Sequence, residues 1–191
     1  GALKMRFLFT SLLIATSIST AYATTHPSII EMQTNVGTIT MKLDWVNTPK
    51  SSENFLNYAN KGFYKNTIFH NSVKNGNGYI QGGLIDAQTS KPKITLDKKP
   101  LIPIINESSR ELKNTAGTVA MTHSLDTSAD STISQFFFNV TDNAVFDKSS
   151  TNSGNAVFAK IIGGMNVLNN IIEYKTTPLF QNLNTPTFLH S

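Results

Sequence analysis

A chain of 191 residues, 39% hydrophobic and 15% charged, is long enough to bury one ordinary core and asks for only one domain. It has no cysteine, which excludes a disulfide framework and a thiol nucleophile. The formal net charge is +4 with no basic cluster beside aromatics in one element, so nothing marks a nucleic-acid binder.

Residues 1–23 read as a cleavable signal peptide. Lys4 and Arg6 form a basic head, Phe7 to Ile18 an apolar stretch, and Ala21-Tyr22-Ala23 fits the small-x-small cleavage rule. Met5 reads as the natural start, with 1–4 as a leading remnant. The apolar stretch is shorter than the roughly 20 residues a membrane span needs, so stable membrane insertion is not expected. Without Lys4 and Arg6, residues 24–191 hold 14 basic and 12 acidic side chains, a net charge of +2. The expectation is export to the periplasm, or secretion beyond it, of a single domain over 24–191.

Ile29–Gln33 and Thr38–Leu43 are strand-like runs around Asn35-Val36-Gly37 and predict a hairpin. A helix is predicted over about 49–60, with Thr48 as N-cap, Pro49 as first residue, Glu53 in the first turn and Gly62 as the stop. Thr67–His70 reads as a strand, Asn71–Gly78 as a loop by composition, and Tyr79–Gly83 as a strand. Residues 86–106, with three Pro, read as an irregular excursion. Strands are expected at Thr118–Thr122 and Ala156–Ile162, a polar loop at His123–Ile133, a helix at about 165–172 and an edge strand near the C-terminus.

Ser134-Gln135-Phe136-Phe137-Phe138-Asn139-Val140 reads as a buried strand. Gln135 beside the Phe cluster either bonds nearby backbone or faces a pocket. Tyr79-Ile80-Gln81-Gly82-Gly83 has similar make-up, and two apolar runs that each carry a Gln could line one groove. Seven or eight strands with two helices predict a mainly β domain, and a closed barrel would hide the strand edges.

Seven ordered motifs then resemble the cyclophilins, the peptidyl-prolyl cis-trans isomerases. They are Asn54-Phe55, Gly62-Phe63-Tyr64, Phe69-His70, Ile80-Gln81-Gly82-Gly83, Gly117-Thr118-Val119-Ala120-Met121, Ser134-Gln135-Phe136-Phe137 and Val157-Phe158-Ala159-Lys160. They cover about 30–175, and with the leader they look most like the exported bacterial members. The resemblance implies an eight-stranded antiparallel β-barrel closed by two α-helices, with no cofactor, metal, nucleotide or covalent intermediate. It implies proline-containing polypeptide segments as partners, a monomer, and help in folding exported proteins.

Residue by residue, the resemblance makes Gln81 the amide that bonds the substrate backbone. It makes Phe137 the ring that packs on proline and Gln135 its supporting amide. Phe146 stands at an apolar pocket position, and Met121-Thr122-His123 in the segment whose backbone pairs with substrate. Other positions depart from the pattern. Asn71 stands at the catalytic Arg, and the stretch Asn71–Tyr79 is two residues longer than usual. Gly78 falls at a pocket Phe, Tyr79 at a Met, Val145 at a Trp or Phe, and Asn155 at a His or Tyr. Tyr79 is read equally as a filler of the proline pocket or as a plain barrel residue.

Exchanging a charged donor for a neutral one costs roughly 1–3 kcal/mol, which is on the order of tenfold to hundredfold in rate. Lys74, inside the lengthened loop, is an imperfect replacement. Weak binding of cyclosporin-type ligands is expected, because the Arg and the Trp or Phe help form that surface. His70 is expected to be structural and His123 a surface loop residue. Asp126, Asp130, Asp142 and Asp147 are loop carboxylates without a metal-ligand pattern. Two rival readings are a catalytically weak or inactive cyclophilin-fold module that binds proline peptides or a protein partner, and a barrel that carries a small apolar ligand.

Overall fold

The computed structural model describes residues 26–86, 93–94, 102–123, 130, 132–174, 176–177 and 188–189. The leader, most of the 86–106 excursion, most of the His123–Ile133 loop and most of the C-terminal stretch lie outside the described residues. The chain begins with β1 (Ile29–Thr34) and β2 (Gly37–Leu43), paired antiparallel from Thr34↔Gly37 to Ile29↔Lys42. Alternation sends Ile30 and Met32 of β1, and Ile39, Met41 and Leu43 of β2, into the core.

Helix α1 (Pro49–Asn60) has the predicted bounds, but its N-terminus is built differently. Thr48 makes no capping bond; its hydroxyl donates to the carbonyls of Asp44 and Val157, each at 3.2 Å. Glu53 lies beyond the first turn. The acid at this end is Glu107, which accepts from the N–H groups of Lys50 (3.1 Å) and Ser51 (2.7 Å) and from the Ser51 hydroxyl (2.7 Å). A carboxylate there satisfies orphan donors and complements the helix dipole.

After α1 come β3 (Thr67–Ile68), β4 (Asn71–Val73), β5 (Tyr79–Gly82), β6 (Ile85–Asp86) and β7 (Lys93–Ile94). Beyond them lie β8 (Thr118–Met121), β9 (Phe136–Asn139), β10 (Val157–Gly163), α2 (Met165–Glu173), β11 (Thr176–Thr177) and β12 (Phe188–Leu189). Asn71–Val73 is thus strand rather than loop. Ladder pairing with β5 extends the chain here despite its polar composition, and the turn is confined to the residues between Val73 and Tyr79. The expected C-terminal edge strand is half of a two-stranded ribbon, β11 with β12.

Among the described residues the main sheet has seven antiparallel strands in the order β1-β2-β10-β8-β9-β5-β4, and β3-β6-β7 form a smaller sheet. The domain is mainly β with two helices, as expected, although the main sheet has one strand fewer than the expected eight. Helix α1 covers the core with Phe55, whose ring lies 5.2 Å from those of Tyr64, Phe136 and Phe158. Helix α2 covers it with Val167, Leu168, Ile171 and Ile172.

Candidate active site

The site is one row of residues across five strands. Asn71 on β4 pairs with Gln81 on β5, Gln81 with Phe137 on β9, Phe137 with Ala120 on β8, and Ala120 with Val157 on β10. Neighbouring rows point the other way. Ile80 pairs with Phe138, and Phe138 with Val119, and all three are fully buried in the main core. The pleat therefore separates a core face from a site face, and Phe137, Ala120 and Val157 form a second, smaller apolar cluster with Tyr79, Leu112 and Phe146 packed against it.

Three aromatic rings dominate that cluster. Phe137 and Phe146 lie 5.0 Å apart, Tyr79 and Phe146 5.4 Å, and Tyr79 and Phe137 5.9 Å, all edge to face. Tyr79 and Phe146 are half-buried, so the trio opens to the surface. Tyr79 is therefore a wall of this apolar site rather than a barrel residue remote from it.

An amide chain runs beside the rings. The Asn71 side-chain NH₂ donates to Tyr79 Oη at 3.0 Å and to Gln81 Oε1 at 3.3 Å, and Gln81 Nε2 donates to Gln135 Oε1 at 3.0 Å. Gln135 is thus tied to the site through Gln81. The register Asn71↔Gln81 places the longer sequence in the turn and keeps both residues opposite one another. Gly83, at φ +88°, passes so close to β9 that a Cβ would stand 2.5 Å from the Ser134 carbonyl oxygen, while Ser134 Oγ donates to Gly83 O at 2.7 Å.

Several expected positions behave differently. Lys74 is turned onto α2, its ammonium 2.5 Å from Glu173 Oε2, and is not a replacement donor in this arrangement. Gly78 is buried, and a Cβ there would meet Thr141 Cγ2 at 2.9 Å, so this position has no room for the aromatic side chain of a pocket Phe. Met121 turns its side chain into the main core, its N–H donates to Ala156 O, and its carbonyl accepts from Asn155 Nδ2 at 2.9 Å. Its backbone is thus already paired within the chain, and Asn155 acts on Met121 rather than standing free. Thr122 N–H donates to Gln135 O at 3.0 Å, and the Thr122 hydroxyl is buried without a partner among the described residues. His123 is buried rather than a surface residue, with Nε2 2.9 Å from Gly154 O. Val145 is 54% exposed.

His70 is buried next to the row, and desolvation lowers its pKa to about 4, opposed by a side-chain hydrogen bond with Gln135. It is neutral at pH 7 and carries no charge into the site. Among the described residues no group of three His, Cys, Asp or Glu could hold a metal ion, and no helix is long and apolar enough to cross a membrane.

A network absent from the sequence reading holds Phe146 in place. Asn139 Nδ2 donates to Thr118 Oγ1 (2.8 Å) and Asn114 Oδ1 (3.2 Å), and Asn143 Nδ2 donates to Asn139 Oδ1 (2.7 Å) and Gly78 O (3.0 Å). Asn114 Nδ2 donates to Phe146 O (3.0 Å), and Asn155 N–H to the same carbonyl (2.8 Å). The available signal was an Asn closing an otherwise apolar strand, since a buried amide needs several partners.

An antiparallel sheet capped by two helices, with an aromatic and amide row on one face, defines a domain of the cyclophilin fold. The model of the cyclophilin-type peptidyl-prolyl cis-trans isomerase family matches residues 29–186. A peptidyl-prolyl cis-trans isomerase of Acinetobacter baylyi is 38% identical over 159 residues, 83% of this chain and 79% of that protein. Peptidyl-prolyl cis-trans isomerase A of Dickeya dadantii is 36% identical over 178 residues, 93% and 88% of the two chains. The crystal structure of a Cryptosporidium parvum cyclophilin-type peptidyl-prolyl cis-trans isomerase, determined in the presence of the dipeptide Ala-Pro, superposes with a TM-score of 0.63 at 26% identity. The match covers 85% of this chain and 99% of that one. The chain belongs to the cyclophilin-type peptidyl-prolyl cis-trans isomerase family.

Proposed function

We propose that this protein isomerises Xaa–Pro bonds in exported polypeptides, at a rate below that of a site with a charged donor. The observation that carries the reading is the row Asn71–Gln81–Phe137, which sets an amide donor beside an apolar aromatic wall. Rotation about the C–N bond faces a barrier of roughly 18–20 kcal/mol from amide resonance. Phe137, with Phe146 and Tyr79, offers the proline ring an apolar seat. Gln81 gives one side-chain N–H to Gln135 and has a second for the substrate carbonyl. Holding ring and carbonyl apart while the amide twists favours the transition state over either ground state.

Export rests on the basic head, the apolar stretch and the Ala21-Tyr22-Ala23 site of the leader. The low rate rests on Asn71, a neutral amide, and the same change with the small, exposed Val145 supports weak binding of cyclosporin-type ligands. A monomer binding proline-containing segments is the simplest form of this reading.

The test is exchange NMR on a short Xaa–Pro peptide with the protein and its Asn71→Arg variant, with and without cyclosporin. We expect measurable catalysis by the parent, a gain of about tenfold or more in the variant, and inhibition of the parent only above micromolar cyclosporin. If both proteins are folded and neither accelerates exchange, the chain is a peptide-binding module on an isomerase scaffold. The complete internal pairing of the Asn71 amide favours that second reading.

A further inference from the structure

Resting on the isomerase reading, we infer that Tyr79, through its phenol hydroxyl, is the catalytic donor to the twisted prolyl nitrogen, and that Asn71 is a positioning residue that holds it. A carboxamide has two N–H donors. Both of those on Asn71 are committed inside the protein, one to Tyr79 Oη at 3.0 Å and one to Gln81 Oε1 at 3.3 Å. Asn71 therefore has nothing left to give a substrate.

Tyr79 is in the complementary state. Its oxygen accepts from Asn71, and its own proton has no acceptor among the described residues. The bond from Asn71 fixes the phenol oxygen and polarises the O–H group, because hydrogen bonds in a chain strengthen one another. The ring that carries it is a wall of the aromatic trio, 5.9 Å from Phe137 and 5.4 Å from Phe146. Tyr79 and Gln81 are two residues apart on β5 and share the site face. A peptide whose carbonyl is held by Gln81 and whose proline lies on Phe137 has its prolyl nitrogen between them, on the side of the hydroxyl.

The nearby cationic candidates are not available. Lys74 is paired with Glu173, and His70 is buried and neutral. Because the amide nitrogen carries a free lone pair only in the twisted state, a hydroxyl aimed at it acts selectively there. No bond to hydrogen breaks: the phenol shares its proton with the lone pair while the amide is twisted and keeps it when resonance returns.

The experiment is the same exchange NMR on an Ala–Pro peptide, with the full chain and its Tyr79→Phe variant, together with the peptide Kd of each. Removing the hydroxyl while keeping the ring should lower kcat about tenfold and leave the Kd within about twofold. Adding Asn71→Arg to Tyr79→Phe should restore the rate by supplying a donor from the neighbouring strand. An unchanged or faster Tyr79→Phe variant, with an active parent, overturns the assignment and leaves the isomerase reading standing. An inactive, folded parent overturns both. Should Tyr79→Phe fail to fold, Tyr79→Met keeps an apolar side chain there and carries the same expectation.

Discussion

Strand β9 places three consecutive phenylalanines in two different environments. Phe136 and Phe138 are fully buried in the main core, where Phe136 packs edge to face on Phe55 and Tyr64 and Phe138 on Phe69. Phe137, between them, faces the opposite way, toward Tyr79 and Phe146 and beside Gln81. The core face is closed by a helix and further aromatics. The site face is backed by the amides Asn114, Asn139 and Asn143; Phe137 lies buried at its floor, and only Tyr79 and Phe146 are half-buried. One residue type thus packs the main core on one face and lines the candidate site on the other, and the pleat alone decides which.

The largest expected effect breaks this comparison directly. Phe136→Ala should lose about 3–5 kcal/mol of stability, because it removes a fully buried ring and leaves a cavity. Phe137→Ala also removes a buried ring and should cost stability, but in the protein that stays folded it should in addition lower isomerase activity at least tenfold. An unchanged activity per folded molecule in Phe137→Ala would mean that the faces are not distinct.

A smaller effect comes from His70, on the boundary between the faces. Its folded pKa of about 4 lies below the ordinary value of 6.5, so between these limits the unfolded chain binds the extra proton. Stability is full above about pH 6.5 and falls as the pH drops toward 4, by on the order of 1 kcal/mol per pH unit. Denaturation midpoints across that range measure the slope, and His70→Gln should flatten it.

The smallest expected effect tests a region outside both faces. Glu107→Gln weakens the acid at the N-terminus of α1 and should cost about 1 kcal/mol, with no change in isomerase activity. A loss of activity without a loss of stability would show that α1 couples to the site by a route other than packing.

Much of this was legible in the chain itself. Strand-like runs marked β1 and β2, the Phe run marked β9, the Pro49 start and Gly62 stop bounded α1 well, and the structure brings Gln81 beside Gln135 and Phe137 beside Phe146. The strand at Asn71–Val73 was hidden because its ladder partner, β5, outweighs a composition rich in Asn and Gly. Glu107 was hidden because its contact with α1 crosses more than fifty residues, which no local capping pattern can register.

Local periodicity and turn chemistry are properties of neighbouring residues, so the sequence by itself determined the longer strands, both helices and the order of the site motifs. The fate of individual polar groups depends on which atoms converge from distant segments. Only the tertiary structure therefore decided that Lys74 bonds Glu173, that Asn155 bonds the Met121 carbonyl, and that the amide of Asn71 is committed to Tyr79 and Gln81. Each donor has a fixed number of protons, and where those protons go is set by three-dimensional proximity rather than by spacing along the chain.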